Sequence, residues 1–219
     1  MNVRLLQLAS PALPVGAYSY SQGLEAAVEA GVVHDAASAS TWIGDVLAIS
    51  VANMEAPIFL RLVRAWEARD IAAARRWNEE FIASREAAEL RAETLQMGFS
   101  LRTLAGSLDV ANASDLDAFE ELAYPTAFAF AIAAWDIDAR EALTAYLFAW
   151  IENQVLAALK CVPLGQTDGQ RVLLALAQRI PAVVERAAAL GDEDLASLAP
   201  GLALLSARHE TQYSRIFRS

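Results

Sequence analysis

The sequence predicts an all-α fold, arranged as a single compact domain of about seven to ten helices. Nearly every segment is rich in alanine and leucine, which favour helices, and no stretch shows the apolar and polar alternation of a half-buried strand. A chain of 219 residues buries roughly 70% of its unfolded surface, so it needs no disulfide or metal to fold. No fixed-period repeat or flexible linker divides the sequence. We therefore expect residues 1–219 to form one domain.

The first twenty residues predict an irregular lead-in. The opening motif, residues 10–25 (SPALPVGAYSYSQGLE), contains two prolines and two glycines, which exclude a regular helix across most of it. The motif carries no charge before Glu25, so we expect it to be buried against the rest of the chain. Ser19 and Gln22 have the spacing of a capping box, which predicts a short helix that ends at Gly31.

The spacing of apolar residues predicts the helices that follow. A helix that begins near Ala39 is expected to kink or break at Pro57, and Asp70 is a suitable N-cap for the next helix. The clearest amphipathic pattern in the chain comes after Ser84. Its apolar stripe consists of Leu90, Met97, Leu101, Leu104 and Leu108.

The second half of the chain predicts further helices. The one that begins at Tyr124 is apolar nearly all round, which is typical of a helix at the centre of a fold. The next helix is expected over about 140–161, followed by a turn over 163–169 and by a helix that runs through Ile180 and ends before Gly191. A last segment begins around Pro200.

Composition excludes several classes of partner. With 27 acidic and 17 basic residues the net charge is −10 and the isoelectric point about 4.7, so we expect no nucleic-acid partner. We also expect no membrane span, because the uncharged run 122–135 is shorter than the ~20 residues that a spanning helix needs and contains Pro125. The single cysteine, Cys161, cannot form an internal disulfide, which is typical of a cytoplasmic protein.

No residue pattern predicts catalysis, a metal site or a cofactor. His34, His209 and Cys161 are each isolated in sequence, and no metal-ligand or nucleophile motif includes them. Residues 165–171 contain two glycines but lack the spacing and the lysine of a phosphate-binding loop. We interpret them as an interhelical loop in which Asp168 caps the following helix.

Three acidic residues share one helix face and could collect a cation. They are Glu86, Glu89 and Glu93. Because Arg85 and Arg91 lie nearby, surface ion pairs are the expected explanation.

The C-terminal segment, residues 206–219, combines aromatic, apolar and arginine side chains. Chain ends usually lose large apolar residues, whereas this mixture is typical of the centres of protein interfaces. Docking onto another chain and docking onto the protein's own core are both open alternatives. The residues concerned are Arg208, Tyr213, Arg215, Ile216, Phe217 and Arg218.

Four stretches in the same order resemble the urease accessory protein F family, UreF. They are LLQLASPALPVGAYSYSQGLEAAVEAG, SREAAELRAETLQMGFSL, ENQVLAALKCVPLGQTDGQR and SARHETQYSRIFRS. The resemblance covers nearly the whole chain. It implies an all-α accessory protein that is not an enzyme and works as a homodimer in urease maturation.

The resemblance also implies the partners. Family members bind the accessory protein UreD or UreH, and the complex recruits the GTPase UreG and delivers nickel to apo-urease in a GTP-dependent way. The nucleotide chemistry and the principal nickel ligands then belong to the partners, in agreement with the missing motifs here.

Site residues follow from the same resemblance. The six named residues of the C-terminal segment would bind UreD or UreH, while Lys160, Gln166 and Arg171 would face the GTPase. Alternatively, Lys160 is a solvated cation favoured by the helix dipole at a helix end. The opening motif would be structural and would support the dimer or partner surface through Pro14, Gly16, Tyr18, Ser19, Gln22 and Glu25.

A rival hypothesis belongs to a different class. A helical enzyme with a buried apolar pocket would use acids such as Glu86 or Glu152 for proton transfer or metal binding. It requires a concave site in which perturbed carboxylates converge.

Overall fold

Helices form nearly all the regular structure of the protein in the computed structural model, which describes residues 2–219. No β-strand occurs in that range, so the all-α prediction is confirmed. Three 3-10 helices, at Ala17–Ser19, Ala113–Ala118 and Asp192–Asp194, connect longer elements. The α-helices are α1 (Val3–Leu8), α2 (Leu24–Glu29), α3 (Ala36–Val46), α4 (Ala56–Glu67), α5 (Ile71–Ala83), α6 (Ala88–Ser107), α7 (Tyr124–Ala134), α8 (Ala139–Cys161), α9 (Gln166–Ala177), α10 (Ile180–Ala189) and α11 (Pro200–His209).

Helices α3 and α4 are parts of one continuous helix, Ala36–Glu67, because a π-helical segment at Leu47–Glu55 joins them. Of the two alternatives predicted at Pro57, a kink or a break, the break is therefore wrong. Proline has no N–H to donate to the carbonyl four residues earlier, which belongs to Asn53. The N–H of Ala196 donates to that carbonyl instead, at 3.3 Å. The segment of chain after α10 thus supplies the hydrogen-bond donor that the proline lacks.

Helix α7 lies at the centre of the fold, as its apolar sequence predicts, and packs against α4 and α6. Phe128 of α7 is fully buried, and its ring centroid lies 5.8 Å from that of Phe59 on α4 and 5.2 Å from that of Tyr146 on α8. Both contacts are edge-to-face, a favourable geometry for aromatic rings. This aromatic cluster ties three long helices together.

The lead-in is more regular than expected. Helix α1 occupies Val3–Leu8, where the sequence predicts irregular chain, and the side chain of Asn2 caps it by accepting from the N–H of Arg4 at 3.0 Å. Leu5 and Leu8 are buried against the core. The prolines therefore confine the irregular part to the residues after α1.

Several helix boundaries follow local signals. The side chain of Asp70 caps α5 by accepting from the N–H of Ala73 at 2.9 Å, which confirms the predicted cap. The apolar stripe of α6 is buried at its start but not at its end, where Leu108 is 46% exposed. The single helix predicted to run through Ile180 as far as Gly191 is instead divided into α9 and α10, since Pro181 occupies the first turn of α10.

Two helices are long and apolar enough to cross a membrane by length and composition, Ala36–Glu67 and Ala139–Cys161. In their most apolar windows 83% and 56% of the residues are buried inside the fold. The core helices of water-soluble proteins meet the same criterion, so burial in the fold accounts for most of this apolar character.

Candidate partner-binding surface

The opening motif turns sharply at Gly16, whose φ of +81° lies in the left-handed region that glycine adopts without strain. On either side of the turn Val15 and Tyr20 are buried in the core, while Pro14 is exposed. Tyr18 lies between these anchors and is 62% exposed. The motif is therefore anchored in the core on both sides of the turn and presents one aromatic ring to solvent.

Ser19 and Gln22 do not form the predicted capping box. Helix α2 begins after Gly23, whose φ is +78° and which has no side chain to cap the helix. The Ser21 hydroxyl instead accepts from the N–H of Glu25 in the first turn, at 3.2 Å. The amide nitrogen of Gln22 donates to Glu93 at 2.7 Å, and its carbonyl oxygen accepts from the indole of Trp150 at 2.8 Å. The side chain of Gln22 therefore binds residues far away in sequence and not the helix terminus that the capping-box spacing predicts.

Glu25 binds the backbone of the C-terminal segment. Its carboxylate accepts from the N–H of Ile216 at 2.7 Å and from the N–H of Phe217 at 2.9 Å. It also lies 3.1 Å from Nε2 of His209, and it is itself buried. Glu25 is thus a structural residue, and within residues 2–219 the partners of its carboxylate all lie in the last eleven residues of the chain.

His209 is fully buried between two carboxylates. Its second ring nitrogen, Nδ1, lies 2.6 Å from Glu89, and Glu89 also accepts from Arg215 at 2.7 Å. Both ring contacts are hydrogen bonds when both nitrogens carry hydrogen. Sequence reasoning treats His209 as isolated, because Glu25 and Glu89 are 184 and 120 residues away from it along the chain.

Further contacts hold the end of the C-terminal segment. The N–H of Arg218 donates to the carbonyl of Ser19 at 2.8 Å, and the N–H of Ser21 donates to the carbonyl of Ser219 at the same distance. The Ser219 hydroxyl donates to Glu93 at 3.0 Å. The segment is therefore docked on the body of its own chain.

The predicted anchors differ in their accessibility in this docked state. Phe217 is only 6% exposed, whereas Tyr213 is fully exposed and Ile216 is 64% exposed. Arg208 and Arg218 are exposed as well. Tyr213 and Ile216, not Phe217, are consequently the apolar side chains available to another protein.

Lys160 lies beside both of these segments. Its ammonium nitrogen is 3.4 Å from the carbonyl oxygen of Tyr18 and 5.1 Å from the ring centroid of Phe217. Gln166 is the exposed first residue of α9, and Arg171 is exposed and paired with Asp168 at 2.8 Å. Because α9 begins at Gln166, Asp168 lies inside its first turn and is not the predicted cap.

Glu86, Glu89 and Glu93 do not form the predicted row of surface ion pairs. Arg85 pairs with Glu55 and Arg91 pairs with Glu121, on other elements. Glu93 is buried, and burial raises its pKa to about 7. Within residues 2–219 no group of three or more His, Cys, Asp or Glu side chains could hold a metal ion.

A small cavity of about 80 Å³ lies beneath the opening motif. Glu55 and Glu93 line it together with Tyr124 and Tyr146, and the Tyr146 hydroxyl donates to Glu55. Burial raises the pKa of both tyrosines. The acids that the enzyme hypothesis names, Glu86 and Glu152, are not among the residues that line this cavity.

Comparison with known proteins identifies the family. The UreF family model matches residues 33–177. A urease accessory protein UreF from Azoarcus sp. (strain BH72) is 55% identical over 222 residues, covering 99% of this chain and 95% of the relative. The protein of the same name from Dechloromonas aromatica (strain RCB) is 52% identical and covers 99% and 96%. The chain therefore belongs to the UreF family of urease accessory proteins, which serve urease maturation as accessory factors and not as enzymes.

Proposed function

We propose that this chain is a cytoplasmic scaffold of urease maturation that works as a homodimer and performs no bond chemistry of its own. Its C-terminal segment binds a UreD/UreH-type accessory protein, and the resulting complex recruits a UreG-type GTPase. The assembly then delivers nickel to apo-urease in a GTP-dependent way. A dimer that presents two GTPase sites raises the effective concentration of the GTPase without new contacts.

The observation that carries this proposal is the arrangement of the C-terminal segment. Buried contacts fix its backbone, while Tyr213 and Ile216 point into solvent among exposed arginines. Tyrosine and arginine are enriched among the residues that dominate interface energies. A fixed backbone also lowers the entropy that ordering costs on association. The segment therefore has the properties of a preorganised partner-binding surface.

Substitution of the exposed anchors tests this surface without disturbing the fold. Tyr213→Ala and Ile216→Ala remove side chains that are fully and 64% exposed, so helical circular dichroism should not change. Because truncating an interface anchor typically costs about 2 kcal/mol or more, each should weaken capture of the UreD/UreH-type protein by at least roughly 30-fold in a pull-down titration. Phe99→Ala, at an exposed ring on α6, is the matched control. If the wild type and all three variants capture the partner equally well, the C-terminal segment does not form part of the interface.

Charge reversal at Lys160 tests the surface proposed to face the GTPase. Lys160→Glu should weaken GTPase recruitment by the complex, because it places a negative charge next to the Tyr18 carbonyl where a cation now lies. Arg64→Glu makes the same charge change at an exposed position on α4 and serves as the control. If recruitment by Lys160→Glu matches the control, Lys160 is a solvated helix-end cation and not a partner residue.

A further inference from the structure

We propose that docking of the C-terminal segment onto the body of the protein is coupled to uptake of one proton by Glu93. In this scheme low pH holds the segment in place and rising pH loosens it. The inference describes the regulation of the partner-binding surface and rests on the proposed function for its biological meaning. Docking itself is a property of this chain and is measurable without any partner.

The contacts of Glu93 distinguish it from the other buried acids of this region. One of its carboxylate oxygens accepts from the Gln22 amide at 2.7 Å and the other accepts from the Ser219 hydroxyl at 3.0 Å. The Trp150 indole, which is a donor only, binds the carbonyl oxygen of Gln22 and so directs the amide N–H toward Glu93. Both donors to Glu93 are neutral, and their hydrogen bonds offset the effect of burial on its pKa only in part. In the protonated form the O–H of Glu93 donates to the Ser219 hydroxyl oxygen, which can accept as well as donate.

The carboxylates of Glu25 and Glu89, unlike that of Glu93, have charged or backbone hydrogen-bond partners. Glu89 accepts from the guanidinium of Arg215 and contacts His209, while Glu25 receives two backbone N–H groups besides its contact with His209. Within residues 2–219 no cation forms an ion pair with Glu93. A buried carboxylate without a countercharge favours its neutral, protonated form.

The groups around Glu93 include few positive charges. The charge of Arg85 lowers the pKa of Glu93, but the Arg85 guanidinium is paired with Glu55 at 3.3 Å. Glu55 itself adds negative potential. The titratable and charged groups that face this region from the neighbouring elements are Tyr20 of the opening motif, Glu25 of α2, Glu55 of the π-helical segment, Arg85 before α6, Glu89 of α6, Tyr124 of α7, Tyr146 of α8, His209 of α11 and Arg218 of the C-terminal segment.

The direction of the coupling follows from these contacts. Burial is the main reason that the pKa of Glu93 rises from 4.5 to about 7 in the docked state. Ser219 is fully buried against Glu93, so undocking admits water to the carboxylate and returns its pKa toward 4.5. A raised pKa stabilises the docked state fully below pH 4.5, and this stabilisation is lost as the pH rises to 7.

Hydrogen exchange of the full-length protein measures the docking directly. The amide hydrogens of Ile216 and Phe217 donate to Glu25 only in the docked state, so their protection factors report the docking equilibrium. After correction for the intrinsic pH dependence of exchange, protection should fall roughly 20-fold between pH 5.5 and 7.5 for full rehydration of Glu93. His209 also faces carboxylates, so the variant Glu93→Gln is needed to assign the effect.

Glu93→Gln should remove most of this pH dependence while the segment stays protected at pH 7.5, because a neutral side chain needs no proton to remain buried. Glu89→Gln is the matched control and should keep the pH dependence at lower overall protection. The carboxyl carbon shift of Glu93 in the wild-type protein gives a second readout if Glu93→Gln does not fold. Its midpoint should coincide with that of the exchange data.

The proposal is overturned if amide protection in the wild-type protein does not vary with pH, or if Glu93→Gln shows the wild-type dependence of protection on pH. It is also overturned if the Glu93 carboxyl titrates with a midpoint different from that of the protection data. Partner capture is a separate measurement. If the wild-type chain docks its segment in a pH-dependent way but does not capture the UreD/UreH-type protein, the proposed function alone is refuted. If it captures that protein but its docking does not depend on pH, this inference alone is refuted.

Discussion

Gly98, near the middle of α6, gives the sharpest prediction for stability. A Cβ atom at this position would lie 1.9 Å from the carbonyl oxygen of Leu122 and 2.9 Å from the carbonyl carbon of Ala123. Both are backbone atoms just before α7, so no side-chain rotation relieves the clash. The glycine therefore sets how closely α6 and the chain that enters α7 approach each other.

The magnitude for Gly98→Ala follows from two opposing effects. Restoring an ordinary contact requires a shift of more than 1 Å between packed backbones, and overpacking of this kind costs about 3 kcal/mol, at the upper end of its usual range. Alanine recovers about 1 kcal/mol through its higher helix propensity. We expect a net loss of about 2 kcal/mol, which lowers the melting temperature of a chain of this size by about 6 °C.

Gly106→Ala on the same helix is the matched control, because nothing lies within 4 Å of a Cβ atom there. It should gain about 0.5–1 kcal/mol from helix propensity. Urea unfolding followed by circular dichroism at 222 nm measures both variants against the wild type. If Gly98→Ala proves as stable as Gly106→Ala, the close approach of α6 to the start of α7 is not as described.

Three further predictions concern buried polar groups. Arg61→Ala should lower the free energy of unfolding in urea by about 2 kcal/mol, because the nearly buried guanidinium donates to Asp192 at 2.7 Å. Arg140→Ala, which removes an exposed ion pair, is the control and should cost less than about 1 kcal/mol. Equal losses for the two variants would contradict this prediction. Asn78→Ala should cost about 3 kcal/mol by the same assay, since one buried amide loses three hydrogen bonds; a loss under about 1 kcal/mol would contradict it. Burial raises the pKa of Cys161 to about 11, so Ellman's reagent at pH 8 should react roughly 100-fold more slowly with the folded than with the urea-unfolded protein, and equal rates would refute this.

Local sequence signals predict much of the helical architecture because helix formation depends on nearby residues. Asp70 supplies an acceptor three residues before the N–H that it caps, and the apolar run from Tyr124 marks the central helix. The same dependence limits such predictions, because local signals carry no information about contacts between residues far apart in the chain. Pro57 predicts a kink or a break, but the helix continues, and the carbonyl that the proline leaves without a donor accepts from the N–H of Ala196, 139 residues further along the chain.

The contacts that hold the candidate surface could not be predicted in the same way. Glu93 looks like one member of a solvated acidic face, and only the fold places Gln22 and Ser219 against it. The partners of His209 are equally remote in sequence. Sequence reasoning did single out the two segments that meet here, through the proline and glycine pattern of the opening motif and the aromatic residues of the C-terminal segment.

The buried carboxylates also constrain what a partner must bring. Within residues 2–219 the hydrogen bonds to the Glu25 carboxylate come from His209, Ile216 and Phe217. A buried carboxylate that loses its donors costs several kcal/mol, so a partner that lifts the C-terminal segment must supply N–H donors to Glu25 or open the site to water. A partner that binds the exposed face of Tyr213 and Ile216 avoids this cost. For the proposed partner we therefore expect recognition of the docked segment and not its extraction.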